Sequence, residues 1–317
     1  MSAAARKSWS LGRRAVLAAP YLWLVAFFLA PMALVAKISL SHPAERRPPY
    51  EPVFSLSDGV AGFFAKLSQL GFDAYRGLLA DSLYVESYIS SLTIAAIAML
   101  VTLLVAYPFA LAMARAPRGL RPVLIGFAIA PFWTSFLIRV YAWIALLKDE
   151  GLINHALLAL GVIDAPLPMF ASDGAVVVGV VYSYLPFMLL PLYSAIERQD
   201  AALREAAADL GASPAQVFWR VTLPLSREGI IAGCLLVFIP AVGEFVIPDL
   251  LGGSDTLMIG RTLWNDFFAN RDWPAASAAA IVLVGLLIGP LLLFERSRLR
   301  AREGETREGE TQEGETR

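Results

Sequence analysis

Apolar residues in this chain gather in long blocks separated by polar stretches of unequal length. Blocks near 15–36, 88–114, 122–147, 174–196, 229–251 and 275–294 stand out. Each approaches the ~20 apolar residues that carry an α-helix across a membrane's hydrocarbon layer. The pattern predicts an all-α polytopic membrane protein with six transmembrane helices. The first block follows a basic segment, 1–14, holding Arg6, Lys7, Arg13 and Arg14. Its apolar part exceeds the ~7–15 residues of a signal-peptide core, and no small-x-small cleavage site follows, so it reads as an uncleaved span. The long connection 41–85 opens on HPAERRPPYEP, whose prolines argue against regular structure there. Its later apolar positions, Phe63 to Leu79, fit short amphipathic helices at a membrane surface. The stretch GLINHALLALGVIDAPLPMF reads as a short re-entrant or surface helix.

Composition supports the same class. The 317 residues are 57% hydrophobic and only 17% charged, where soluble domains carry about a quarter charged residues. A net charge of −1 excludes a global field for nucleic acid. Charge distribution is more informative. Of the Lys and Arg residues, seventeen fall in segments that six spans put on one side, 1–15, 115–121, 197–228 and the tail, against eight on the other. Basic short loops face the cytoplasm. Both termini and the 197–228 loop are therefore expected to be cytoplasmic. The tail 297–317 contains a period-five REGET repeat without apolar residues and is expected to be disordered. The organisation expected is a 1–14 cytoplasmic segment, a 15–296 six-span domain with outer loop 41–85, and the tail.

The polar block between the fourth and fifth spans has structure of its own. In EAAADLGASPAQVFWRVTLP, residues 205–224, Leu203 to Leu210 has helical composition and Gly211 can take the left-handed turn that ends a helix. Ser213, Pro214 and Gln216 then supply an N-cap, a first-turn proline and a capping-box partner. Two short helices broken by a glycine suit docking into a groove.

Enzyme chemistry finds little support. No phosphate-binding G-x-x-x-x-G-K-[ST], no G-x-S-x-G and no H-E-x-x-H occurs. His42, His155 and Cys234 are isolated, so no metal cluster and no catalytic set is expected. An ionisable group inside a span is costly and normally faces a cavity or a partner charge. Glu244 is such a group, in FIPAVGEFVIPDLLGG, where Pro240, Gly243 and Pro248 would break the helix. It reads as part of a substrate pathway, as the ion-pair partner of Arg139, or as a group held protonated. Asp249, further out, reads equally as pathway or structural. Trp133, Tyr141, Tyr182 and Tyr184 are aromatic candidates beside it, with Tyr182 and Tyr184 preferred to the others, which also suit interfacial anchoring. Rings and carboxylates together suit an alkyl-ammonium ligand. The outer segments carry fourteen carboxylates against the eight basic residues, which agrees weakly in sign. Gly285 and Gly289 form a G-x-x-x-G, a sign of close helix packing.

Glu205-Ala206-Ala207, Gly211, Val221 and Leu223-Pro224 resemble the E-A-A-x3-G-x9-I-x-L-P loop of the permease subunits of bacterial ABC importers, departing only by Val for Ile at 221. PFWTSFLIRVYAW, GVVYSYLPFMLLPLY, the GEFVIP region and NRDWPAASA are similar to polyamine importer permeases, closest to the putrescine type. The resemblance implies the type I ABC importer permease fold, with 197–228 as coupling loop. Glu205, Ala206, Ala207, Gly211, Leu223 and Pro224 would meet the ATPase, with Glu205 anchoring the coupling helix by charge or as a cap. It also implies alternating-access import of putrescine or spermidine. The implied partners are a second, homologous permease, two copies of an ABC ATPase that bind ATP and Mg, a periplasmic polyamine-binding protein, and membrane lipid. No cofactor is expected in this chain. The alternatives are a permease for another small organic solute and an ATPase-independent secondary transporter; a membrane enzyme ranks behind both.

Overall fold

The computed structural model describes residues 16, 18–55, 57, 59–289 and 291–292. The expectations for 1–14 and for the tail 297–317 lie outside the described residues. Among them, three helices are long and apolar enough to cross a membrane: α1 (Ala18–Ser39), α4 (Ser82–Arg115) and α8 (Asp173–Glu197). Two further helix pairs are apolar enough only when taken together, and both are bent. Arg121–Trp133 meets Phe136–Ala159 at 88°, and Pro214–Leu225 meets Arg227–Val242 at 63°. The last apolar helix, Trp273–Gly289, is shorter. Thus the expected third span is a broken one. Its first part is α5 (Arg121–Ile129), extended by a 3-10 turn to Trp133. Thr134 and Ser135 then take extended conformations, with ψ of 154° and 138°, before α6 (Phe136–Leu147). The fifth block likewise splits into α11 (Arg227–Val242) and α12 (Val246–Leu251).

The connection 41–85 holds α2 (Gly59–Leu67) and α3 (Asp73–Ala80), as its apolar spacing predicts. Its proline-rich start does contain regular pairing: β1 (His42–Pro43) runs antiparallel to β2 (Tyr50–Glu51), a minimal ladder. The connection between α6 and α8 holds α7 (Leu152–Ala159). Asn154 is buried there and laces the loop through both amide atoms to Leu167 and to the Lys148 carbonyl.

The chain divides into two compact units, Met1–Tyr84 with Leu263–Arg317, and Val85–Thr262. In the first, Trp273 stacks on Phe267 at 4.7 Å and lies near Tyr50 of the hairpin. The Tyr84 hydroxyl donates to Asp266 at 2.8 Å. In the second, the core gathers Ala106, Ala110 and Met113 of α4, Met188, Leu192 and Ile196 of α8, and Val237 of α11.

Helix α11 approaches α8 at two glycines one turn apart. A Cβ on Gly229 would lie 2.5 Å from Ala195 Cβ, and one on Gly233 would lie 2.6 Å from Met188 Sδ. These are the small-residue contacts that let membrane helices pack without a hydrophobic drive. The other G-x-x-x-G, Gly285 and Gly289, meets nothing within 4 Å. Close packing of α11 on α8 therefore runs through Gly229 and Gly233, which carried no mark in the sequence beyond their spacing.

Gly233→Val should lower stability by about 1–3 kcal/mol through overpacking against Met188. Gly289→Val, in open space, should not. Thermal unfolding in detergent compares them; equal midpoints would refute the contact's importance.

Candidate functional site

The 197–228 block folds as helix, glycine turn and helix. Asp200 caps α9 (Ala201–Asp209), its Oδ1 accepting from the Ala202 amide at 2.9 Å. The helix ends in a Schellman turn: the Ala212 amide donates to the Ala207 carbonyl at 3.0 Å and the Gly211 amide to that of Ala208 at 2.9 Å. This turn requires a left-handed residue, and Gly211 has φ of +83°. Ser213 and Gln216 then form the reciprocal capping box, with Pro214 in the first turn of α10 (Pro214–Leu225). A π-helical turn, Phe218–Thr222, lies inside α10.

Several contacts fasten this block to the spans. Gln199 Nε2 donates to the Thr222 carbonyl at 3.0 Å, joining the block's beginning to its end. Ser226 is buried and lies 2.9 Å from the Tyr107 hydroxyl of α4, while Phe218 packs edge-on to the Tyr107 ring at 5.6 Å. Arg121 pairs with Glu197 at 3.0 Å. The other surface is open: Leu203, Leu210 and Trp219 are exposed apolar side chains.

One expectation changes here. Glu205 is exposed and is not a cap, because Asp200 holds that position. Pro224 stands at the end of α10, next to its last residue Leu225, and the turn follows at Ser226, whose hydroxyl donates to the Leu223 carbonyl at 2.8 Å. Leu223 packs against the core, and Ala206 is exposed.

The second constellation surrounds the break between α11 and α12. Residues 243–245 leave the helical path, and the freed amides of Phe245 and Val246 donate to Glu244 Oε1 at 3.1 and 3.0 Å. The other carboxylate oxygen, Oε2, accepts from the Tyr184 hydroxyl at 2.6 Å. Glu244 is thus a half-buried carboxylate held from both sides. From Tyr184 a row of rings continues to Phe187 at 5.9 Å and from there to Phe132 at 5.7 Å. The arrangement sets a carboxyl group beside aromatic faces, a combination that suits an ammonium group.

The remaining candidates make other contacts or are exposed. Tyr182 packs edge-on against Trp143 of α6 at 5.6 Å. Asp249 pairs with Arg261 at 3.3 Å, and Arg261 also donates to the Gly253 carbonyl at 3.1 Å. Trp133 and Tyr141 are exposed, at 82% and 56%. The expected alternative of a Glu244–Arg139 ion pair is absent among the described residues. Arg139 instead lies over the Phe132 ring at 4.4 Å. Neither the Tyr107–Ser226 bond nor the Gln199 strap had a sequence signal, since each joins residues far apart in the chain. The Asp200 cap was readable from an Asp ahead of an Ala-rich run.

Glu244→Ala should strip the acceptor from the Phe245 and Val246 amides and cost about 0.5–2 kcal/mol, the range for lost helix caps. Glu244→Gln, which keeps an acceptor oxygen, should cost less. Amide hydrogen exchange at the break and thermal unfolding measure both; equal protection in all three proteins would remove the capping role.

Comparisons with known proteins agree with this architecture. Residues 106–294 match the family model described as binding-protein-dependent transport system inner membrane component. The spermidine/putrescine transport system permease protein PotB of Escherichia coli is 46% identical over 235 residues, covering 74% of this chain and 85% of that protein. The PotB of Haemophilus influenzae is 41% identical over 269 residues, covering 84% and 88%. A chain in the crystal structure of a bacterial alginate ABC transporter, in complex with an alginate pentasaccharide-bound periplasmic protein, superimposes with a TM-score of 0.67 at 18% identity, covering 91% of this chain and 93% of that one. That likeness concerns the fold. The chain belongs to the family of inner-membrane components of binding-protein-dependent transport systems, and is a multi-pass transport subunit of the type I ABC permease fold.

Proposed function

We propose that this chain is one of two different permease subunits of an ATP-driven importer that moves polyamines, putrescine or spermidine, into the cytoplasm by alternating access. The observation that carries the substrate class is the Glu244 carboxylate, fixed at a helix break by Tyr184 and two amides and flanked by the rings of Tyr184, Phe187 and Phe132. A protonated amine would meet charge at one oxygen and ring faces along its methylene chain. The names of the PotB relatives support the same class.

The partners in this reading are a second permease, two ATPase copies that bind ATP and Mg, and a periplasmic polyamine-binding protein. The excess of Lys and Arg in the short loops supports a cytoplasmic side for both termini and the 197–228 block. There, Leu203, Leu210 and Trp219 offer an apolar face to the ATPase. Movement of that face reaches Glu244 along α11, which begins at the end of the block and stops one residue short of Gly243 and two short of Glu244.

Reconstitution tests the whole reading. The chain, a second permease and an ATPase in vesicles should hydrolyse ATP faster when putrescine-loaded binding protein is added. Stimulation by another solute and not by polyamines would overturn the substrate. Uptake without any ATPase would overturn the importer. Gly211→Val forces a branched residue to φ of +83° and strains the turn by about 1–2 kcal/mol. It should abolish stimulation while leaving unfolding of the spans nearly unchanged; full stimulation would detach the turn from coupling.

A further inference from the structure

The charge that the pathway leaves unexplained is Arg139. It is only 9% exposed, and it is the single charged residue of α6. Its Nε and Nη1 atoms are buried without a hydrogen-bond acceptor among the described residues. Its guanidinium has two ring contacts, 4.4 Å above Phe132 and 5.8 Å from Phe136. Two such contacts return less than burial of an unpaired cation costs in a membrane span. A structural arginine would normally be paired. Arg139 makes no ion pair among the described residues, and the carboxylates of α8 and α12, the helices packed against α6, have other partners, as does Glu244. Asp249 is engaged by Arg261, Glu197 by Arg121, and Asp173 by Thr256, while Glu244 is engaged by Tyr184.

The position of Arg139 gives the anomaly a use. Phe132, on which it stacks, is the last ring of the row that starts at Glu244: Tyr184, then Phe187 at 5.9 Å, then Phe132 at 5.7 Å. The row therefore has a fixed anion at one end and a fixed cation at the other. A linear amine with one ammonium at Glu244 lays its methylenes along the rings toward a positive charge. Each further ammonium on that chain is repelled, and low dielectric extends the repulsion beyond contact distance. We propose that Arg139 is a specificity-determining residue, a buried cation whose field limits how many ammonium groups a substrate can place along the rings between Glu244 and Phe132. The inference rests on the polyamine reading and adds to it the residue that separates a diamine from a longer triamine.

The test uses the reconstituted transporter and two substrates, putrescine with two ammonium groups and spermidine with three. Arg139→Gln and Arg139→Met should raise the spermidine-to-putrescine uptake ratio about tenfold, the effect of removing one charge–charge interaction at intermediate dielectric. Arg139→Lys, which keeps the charge, should hold the wild-type ratio. A neutral variant that slows both substrates equally, with the ratio unchanged, would overturn the proposal and leave Arg139 a packing residue. Should neither neutral variant assemble, the unaltered protein still decides. N-acetylspermidine, with one ammonium neutralised, should then enter faster than spermidine; equal or slower entry overturns the proposal. Failure of the wild type to move any polyamine sinks the underlying reading as well, so the two failures are told apart.

Discussion

The close approach of α8 and α11 is the constraint on which the Val85–Thr262 unit depends. Gly229 and Gly233 remove the side chains that would hold the two helices apart, and Ala195 and Met188 fill the space. In a membrane, lipid is as apolar as leucine, so this contact rests on fit and not on exclusion of water. Because α8 precedes the 197–228 block and α11 follows it, that contact fixes both roots of the block together. The Gln199–Thr222 strap completes the closure. The same helix pair brings Tyr184 of α8 to Glu244 just beyond α11. One packing contact thus positions the exposed block and the carboxylate.

The broken helices show a second physical theme. Where the chain leaves the helical path inside an apolar segment, it supplies its own hydrogen-bond partners, as a span must. At 243–245 the side chain of Glu244 turns back onto the amides that the break frees. At 134–135 the Thr134 hydroxyl donates to the Pro131 carbonyl at 2.7 Å. A carboxylate that caps a helix is held in place by that duty. The same duty fixes the Glu244 carboxyl group at a defined position beside the rings.

The polar block was the part most legible in the sequence. Its turn, its left-handed glycine and its capping box are local features, each decided within a few residues, and Gly211, Ser213, Pro214 and Gln216 adopt the roles their types suggest. The one change there was also local in origin: Asp200 stands ahead of Glu205 and takes the cap. The substrate candidates were legible as types only. Tyr182 and Tyr184, two positions apart, point to different sides of α8, one to Trp143 and one to Glu244.

By itself, the sequence determined what depends on composition and short-range chemistry. It determined the helical membrane class, because blocks of that length and apolarity have no stable exposure to water. It determined the position of the polar block, and the placing of an ionisable group at a proline-flanked break. Tertiary structure decided what depends on which faces meet. Gly229 and Gly233, not Gly285 and Gly289, bear a helix contact within the chain. Arg139 stacks on Phe132 and does not pair with Glu244, and Asp249 pairs with Arg261. Pairing energies depend on distance and burial, and neither is set until distant segments are packed.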